Sequence, residues 1–132
     1  MSCRIIFWNS QKGSATKINA IVNLSPSILV LVETKLTLNT ITTLSTQGFR
    51  FHCNKNISIL VKSIPIIETT IDLPGILGIV IGTQPIEIIG VHLHNDPIAR
   101  RSQLEAIKHH IQRTLHPMII LGDLLHFLID FT

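Results

Sequence analysis

The chain has 132 residues, of which 45% are hydrophobic and 14% are charged, and this length suits one domain with a buried core. The composition argues against an intrinsically disordered chain. The formal charge of +3 tolerates a phosphate-rich partner, but the basic residues are scattered along the sequence and form no dense basic stripe. Cys3 and Cys53 lack metal-ligand spacing, which predicts two ordinary thiols.

No segment of the sequence predicts a membrane span or a signal peptide. The longest apolar run, residues 73–81, is interrupted by Pro74, Gly75 and Gly78 and is shorter than the roughly 20 residues that a span needs. The opening stretch MSCRIIFWNSQ has too short an apolar core for a signal peptide. We therefore expect a cytoplasmic protein, or a nuclear one if the source is eukaryotic.

The first part of the sequence predicts a βαβ unit. Residues 4–9 alternate in hydrophobicity and predict a strand, while residues 28–33 form an apolar run typical of a parallel strand inside a sheet. Between them, Ile18, Ile21 and Val22 lie on one face of a predicted helix. A right-handed crossover brings the ends of the two strands to the same edge of the sheet.

The middle of the sequence predicts a short helix followed by strands. Leu38, Ile41 and Leu44, spaced by three, predict a second helix that ends at Gly48. The pattern then changes to period two, which predicts one antiparallel meander. Its five strands are predicted at residues 49–53, 57–62, 66–72, 76–81 and 86–93.

The region after residue 94 contains the strongest helix pattern. Asn95 or Asp96 is the candidate N-cap, and Pro97 lies in the first turn. Helical spacing predicts a buried face formed by Leu104, Ile107, Ile111 and Leu115. A strand at residues 118–121 follows. Taken together, the elements predict an α/β (α+β) fold with a mixed sheet, an N-terminal βαβ unit, an antiparallel meander and a long helix before the last strand.

Five polar side chains follow or end predicted strands, namely Asn9, Glu33, His92, His94 and Asp123. A carboxylate beside an amide oxygen offers the hard oxygen ligands that Mg²⁺ prefers, so Glu33 is the candidate metal ligand with Asn9 beside it. Alternation puts both histidines on one strand face, where either can donate a hydrogen bond to a phosphate oxygen or a leaving group. Taken singly, each residue also fits an ordinary turn, surface or core role.

Four segments resemble, in order, the successive motifs of the endonuclease/exonuclease/phosphatase superfamily. They are RIIFWNSQ, ILVLVETKL, IEIIGVHLHNDP with RRSQL behind it, and MIILGD. The family's motifs are strands that end in Trp-Asn, in Glu-Thr, in a His-containing loop before an Arg- and Gln-bearing helix, and in Gly-Asp. LVETKL resembles the endonuclease domains of non-LTR retrotransposons and LHNDP resembles DNase I-like members, so the branch stays open.

This resemblance implies a partial DNase I-like two-sheet sandwich, corresponding to the N-terminal half of the family's domain. The implied activity is hydrolysis of a phosphodiester or phosphomonoester, with nucleic acid or another phosphate ester as the partner. Asn9 and Glu33 would help to hold Mg²⁺ or Mn²⁺. His92 or His94 would stabilise the transition state or protonate the leaving oxygen, and Asp123 would orient the attacking water.

Two departures from the family pattern lead us to expect impaired activity. Leu125 stands where the family has an Asn, and loss of one such hydrogen-bond donor typically costs on the order of 10²–10³ in rate. The family's later Asp and the Ser-Asp-His segment that carries its general base have no counterpart, and we assign no role to His126 or Asp130. The alternatives are a non-catalytic remnant or assembly module that binds a protein or nucleic acid, and a small α/β domain with an accidental motif order.

The closing stretch LLHFLIDFT is strongly apolar for a terminus, where chains are usually exposed and frayed. A half-sandwich would also leave an apolar sheet face open to water. We therefore expect either that self-association or a second chain covers this end, or that the chain is a truncated product.

Overall fold

Two four-stranded sheets pack face to face in the computed structural model, which describes residues 3–9 and 15–122. The first sheet contains β1 (Ile5–Asn9), β2 (Ile28–Val32), β3 (Phe49–Cys53) and β4 (Ile57–Lys62), in the order β1-β2-β4-β3. The second contains β5 (Ile66–Leu73), β6 (Ile76–Ile81), β7 (Ile86–Val91) and β8 (Met118–Gly122), in chain order. The helices are α1 (Ala15–Val22), α2 (Leu38–Thr46) and α3 (Pro97–Arg113).

The predicted βαβ unit is confirmed, because β1 and β2 pair in parallel with Asn9 opposite Val32. The predicted single meander is wrong in one respect. Strands β3 and β4 form a hairpin in the first sheet, whereas β5, β6 and β7 form an antiparallel meander in the second. The chain changes sheets between β4 and β5, at Ser63 with φ +61° and at Pro65, which has no N–H to donate to a ladder. Strands of both sheets show the same two-residue alternation, so this pattern could not reveal that the predicted meander is divided between two sheets.

The core lies mainly between the two sheets, where alternate residues of the strands face each other. This layer consists of Ile28, Val30, Val32, Ile57, Ile59 and Val61 from the first sheet and Leu77, Ile79, Ile81 and Ile88 from the second. The outer face of the first sheet packs on α1 and α2 through residues such as Ile18 and Leu44. The outer face of the second sheet packs on α3 through Leu104 and Ile107. The result is a helix, sheet, sheet, helix arrangement.

Helix α3 begins as predicted and ends earlier than predicted. Asp96 is the N-cap, and its Oδ2 accepts a hydrogen bond from the Ala99 amide at 3.0 Å. The helix ends at Arg113 and Thr114 is extended, with ψ 145°. The prediction that Leu115 is buried is therefore wrong, since helical spacing stops before it and its side chain is 95% exposed. Among the described helices, none is long and apolar enough to cross a membrane.

A buried carboxylate anchors the C-terminal end of α3 to the second sheet. Glu87 of β7 is 0% exposed, and it accepts hydrogen bonds from Thr70 Oγ1 and Thr114 Oγ1, each at 2.8 Å, and contacts His110 Nε2. Burial by itself raises the pKa of the Glu87 carboxyl. The hydrogen bonds from His110, Thr114 and Thr70, with the charge of His110, outweigh burial and hold that pKa below its ordinary value of 4.5.

Gly90 allows β7 to approach the first sheet closely. A Cβ atom at this position would lie 2.9 Å from Ile57 Cγ2 and 3.0 Å from Val30 Cγ1. We expect Gly90→Ala to lower the free energy of unfolding by about 1–3 kcal/mol, as overpacking typically does. Urea denaturation measures this loss.

The Ile57→Ala change tests whether a clash causes this loss of stability, because it removes Ile57 Cγ2, the atom nearest to the added Cβ. The double variant Gly90→Ala/Ile57→Ala should lose less stability than the sum of the two single losses. Strict additivity of the two losses would contradict the proposed clash.

Glu87 should make stability depend on pH. Because its folded-state pKa lies below the unfolded value, the carboxylate stabilises the native state above about pH 4.5, and this contribution is lost as the pH falls through the folded value. Glu87→Gln should lower the free energy of unfolding at neutral pH by about 1.5–3 kcal/mol and reduce the acid dependence. Denaturant melts between neutral and acid pH measure both effects. The exposed Glu68→Gln change on β5 is the control, and an equal effect there would contradict the assignment.

Candidate active site

The candidate site lies at one end of the sandwich, where β1, β2 and β7 finish. Asn9 is the last residue of β1 and lies opposite Val32, the residue before Glu33. This confirms that parallel pairing brings Asn9 and Glu33 to the same edge of the first sheet. His92 follows β7 in the second sheet. Residues that are distant in sequence therefore meet between the ends of the two sheets.

Glu33 adopts a backbone conformation that is unusual for a residue with a side chain. Its φ is +54°, and its amide donates to the carbonyl of Asn56 at 3.0 Å. A left-handed non-glycine residue costs on the order of 1–3 kcal/mol and persists where surrounding contacts hold it. In a continued strand, Glu33 would share the face of Leu29 and Leu31, which pack toward the helices. The left-handed turn ends the strand, and the carboxylate reaches the second sheet instead.

His92 is the partner of that carboxylate. Its Nε2 lies 3.1 Å from Glu33 Oε1, and the two side chains are 25% and 35% exposed, respectively. The His92 amide donates to the carbonyl of Gly75 at 2.8 Å, after the β7 ladder has ended at Val91. A histidine and a carboxylate that lie this close together and are accessible to solvent form a pair that can orient the imidazole and move a proton.

His94 has a different environment, although it lies only two residues farther along. Its Nδ1 accepts a hydrogen bond from the Asp96 amide at 3.0 Å, and its own amide donates to Gln103 Oε1 at 2.7 Å. The His94 ring is thus bonded to the start of α3 and is exposed. Both histidines line a cavity of about 260 Å³, which Asn56 and Gly75 also line. The geometry therefore identifies His92 as the histidine whose ring contacts Glu33.

The strand expected to carry Asp123 is present, but Asp123 itself lies outside the described residues. Strand β8 pairs in parallel with β7, with Gly122 opposite Val91. Gly122 therefore ends its strand beside the residue that precedes His92. Leu125, His126 and Asp130 also lie outside the described residues.

Three supporting residues around the site received no role from the sequence. Gln103 of α3 bonds the backbone at His92 and His94, and Gly75 lies beneath its amide. Asn54 joins the two sheets, because its Nδ2 contacts the carbonyls of Leu73 and Ile76 at 3.1 Å each and its Oδ1 accepts from the amides of Asn56 and Ile57. The sequence signal for Gln103 is its place in RRSQL, the segment that matches the Arg- and Gln-bearing helix of the resemblance, where it was given no role.

The donor set fits a hard divalent cation. Glu33 supplies a partly exposed carboxylate and Asn9 an amide oxygen at the same sheet edge, and Mg²⁺ is usually bound by one or two carboxylates while keeping several waters. Within residues 3–9 and 15–122, no group of three or more His, Cys, Asp or Glu side chains is arranged to hold a metal ion.

Solved structures with the same fold include an endonuclease domain and a protein in complex with a DNA product. The endonuclease domain of TRAS1, a telomere-specific non-LTR retrotransposon, matches with a TM-score of 0.71 and 20% identity over 92% of this chain and 59% of that domain. D. rerio TDP2 in complex with a single-strand DNA product matches with a TM-score of 0.68 and 16% identity over 91% of this chain and 58% of that one. Truncated Caenorhabditis elegans TDP2 gives 0.64 and 17%, over 91% and 61%.

No protein-family model matches the sequence, and no significantly similar curated protein was found. The chain spans about 60% of the length of the TRAS1 and TDP2 structures. At these identities the likeness establishes the fold, and it agrees with the order of the four strand-end motifs. The chain therefore shares the fold of these structures, as a partial two-sheet sandwich.

Proposed function

We propose that this chain carries part of the active site of a divalent-metal-dependent phosphoesterase that hydrolyses phosphodiester bonds in DNA or RNA. The observation that carries the proposal is the contact of 3.1 Å between Glu33 Oε1 and His92 Nε2, across the ends of two sheets. The fold shared with TRAS1 and TDP2 supports a nuclease-like reaction. The DNA product in the TDP2 structure supports nucleic acid as the class of substrate.

Each site residue has a distinct role in the proposed reaction. Glu33 and Asn9 are the residues that would hold a cation, Mg²⁺ or Mn²⁺, which would supply positive charge to offset the negative charge of the phosphate. His92 is oriented by Glu33 and donates a hydrogen bond to a phosphate oxygen or a proton to the leaving oxygen. His94 is the alternative for this role, although its bonds to the start of α3 make it the weaker one. Asp123 orients the attacking water as the P–O ester bond breaks.

A second candidate function is a non-catalytic module that binds a protein or nucleic acid. It is favoured by Leu125, which stands where the superfamily has an Asn and cannot hydrogen-bond to a phosphate. The self-association or partner chain expected at the apolar stretch after Asp123, and a cytoplasmic or nuclear location, stay predictions.

A metal titration followed by thermal unfolding tests the role of Glu33. Mg²⁺ or Mn²⁺ should raise the melting temperature of the wild-type chain, because an ion that binds only the folded state adds about 2.7 kcal/mol when it is present at 100 times its Kd. Glu33→Gln should abolish most of this increase, since the amide removes the anionic ligand and keeps the shape. Glu68→Gln, an exposed change far along the chain on β5, should respond like the wild type. An equal response in all three would remove the metal assignment.

Hydrolysis of bis-p-nitrophenyl phosphate and of plasmid DNA separates the two histidines. His92→Ala should lower the rate by about 10²–10⁴, the usual contribution of an acid or base, and His94→Ala should have a much smaller effect. Asp123→Ala should also abolish most activity, whereas the exposed Glu105→Gln change on α3 should not. A larger loss in His94→Ala than in His92→Ala would reverse the assignment. Absence of any metal-dependent hydrolysis by the wild type would favour the binding module.

A further inference from the structure

The side chain of Gln103, in the second turn of α3, forms hydrogen bonds with three backbone groups. Its Nε2 donates to the carbonyl of His92 at 3.1 Å and to the carbonyl of Pro74 at 3.0 Å. Its Oε1 accepts from the amide of His94 at 2.7 Å. One side chain thus ties the loop after β7 to the β5–β6 turn and to α3.

Only a carboxamide satisfies these three groups at once. The two carbonyls need N–H donors and the amide needs an acceptor, and Gln supplies both from one planar group. A Glu at this position keeps the acceptor but places a carboxylate oxygen against two carbonyl oxygens. A Met fills a similar volume and leaves all three groups without this partner, at the cost of unsatisfied polar atoms.

Gly75 makes the close approach of the turn possible. Its φ is +76°, and a Cβ atom there would lie 2.3 Å from Gln103 Nε2 and 2.4 Å from the carbonyl oxygen of His92. Those distances are far inside van der Waals contact, so any side chain would displace the turn, the amide or the loop. The Gly75 carbonyl also accepts the His92 amide at 2.8 Å.

The contacts fix His92 at a point where regular sheet pairing has ended. Strand β7 stops at Val91, yet the His92 amide is bonded to Gly75 and its carbonyl is bonded to Gln103. Both backbone groups of His92 are therefore held, which restricts the direction of its side chain. That side chain is the one whose Nε2 contacts Glu33. A misplacement of about 1 Å in such a group can cost on the order of 10²-fold in rate.

We propose that Gln103 is a positioning residue of the candidate site, which holds the loop of His92 so that the imidazole stays on Glu33. The catalytic consequence rests on the function proposed above, whereas the effect on the ring's position does not require any activity. In this role Gln103 acts through the backbone of His92 and His94, to which its side chain is hydrogen-bonded.

Nuclear magnetic resonance tests the position of the ring without an activity assay. The wild type should show a nuclear Overhauser effect between a His92 ring proton beside Nε2, Hε1 or Hδ2, and the Glu33 Hγ protons, since the two side chains are in contact, and slow hydrogen exchange at the His94 amide. Gln103→Glu and Gln103→Met should each weaken the first signal while the rest of the spectrum stays that of the folded chain. The Met variant decides the outcome if the Glu variant does not fold. The matched control is Glu105→Gln, an exposed change two residues along the same helix, which should keep both signals.

Kinetics supply the second arm of the experiment. In a chain that hydrolyses phosphodiesters, Gln103→Met should lower kcat on the order of 10²-fold with little change in KM, since substrate binding is not the interaction removed. A nuclear Overhauser effect that persists in both Gln103 variants overturns the positioning role, whether or not the chain is active. Loss of the nuclear Overhauser effect without a change in kcat overturns the proposed contribution of Gln103 to catalysis. If the wild type hydrolyses nothing, the proposed function fails and the spectra alone decide the positioning role.

Discussion

The packing of one sheet on the other is the constraint on which the rest of the structure depends. Alternate residues of β2 and β4 meet those of β6 and β7 in a dry layer, and burial of such apolar surface is the main favourable term in folding. Glu33 extends from the end of one sheet and His92 from the end of the other. Their contact of 3.1 Å joins the ends of two sheets that pack closely, an approach that Gly90 permits at Ile57 and Val30.

Polar contacts then hold the β5–β6 turn and the two ends of α3, which lie outside the apolar layer. Near the site, the β5–β6 turn is bonded to the first sheet by Asn54 and to α3 by Gln103. At the other end of α3, the buried carboxylate of Glu87 bonds His110 and Thr114. The helix that supports the His92 loop is therefore attached at both ends, and a site supported by rigid elements keeps its geometry better than one on free loops.

Much of the fold could be predicted because its signals are local. Alternation, capping and turn residues located nearly all the element boundaries, and the structure chose Asp96 over Asn95 as the cap of α3. Two predictions failed for reasons that are not local. The single meander divides between two sheets after Lys62, since alternation does not reveal which sheet a strand joins, and Leu115 is exposed because α3 ends at Arg113. A shared fold in turn does not establish a shared reaction, so Leu125, which stands where the superfamily has an Asn, still weighs on function.

The sequence by itself determined the types and order of the elements and placed Asn9, Glu33 and a histidine at strand ends, because periodicity and strand direction are properties of neighbouring residues. Only the tertiary structure decided which histidine contacts Glu33. That choice depends on the left-handed turn at Glu33, on the distance between the sheets and on the bonds of Gln103 to Pro74, His92 and His94. These contacts join residues far apart in the chain, and no local pattern in the sequence records them.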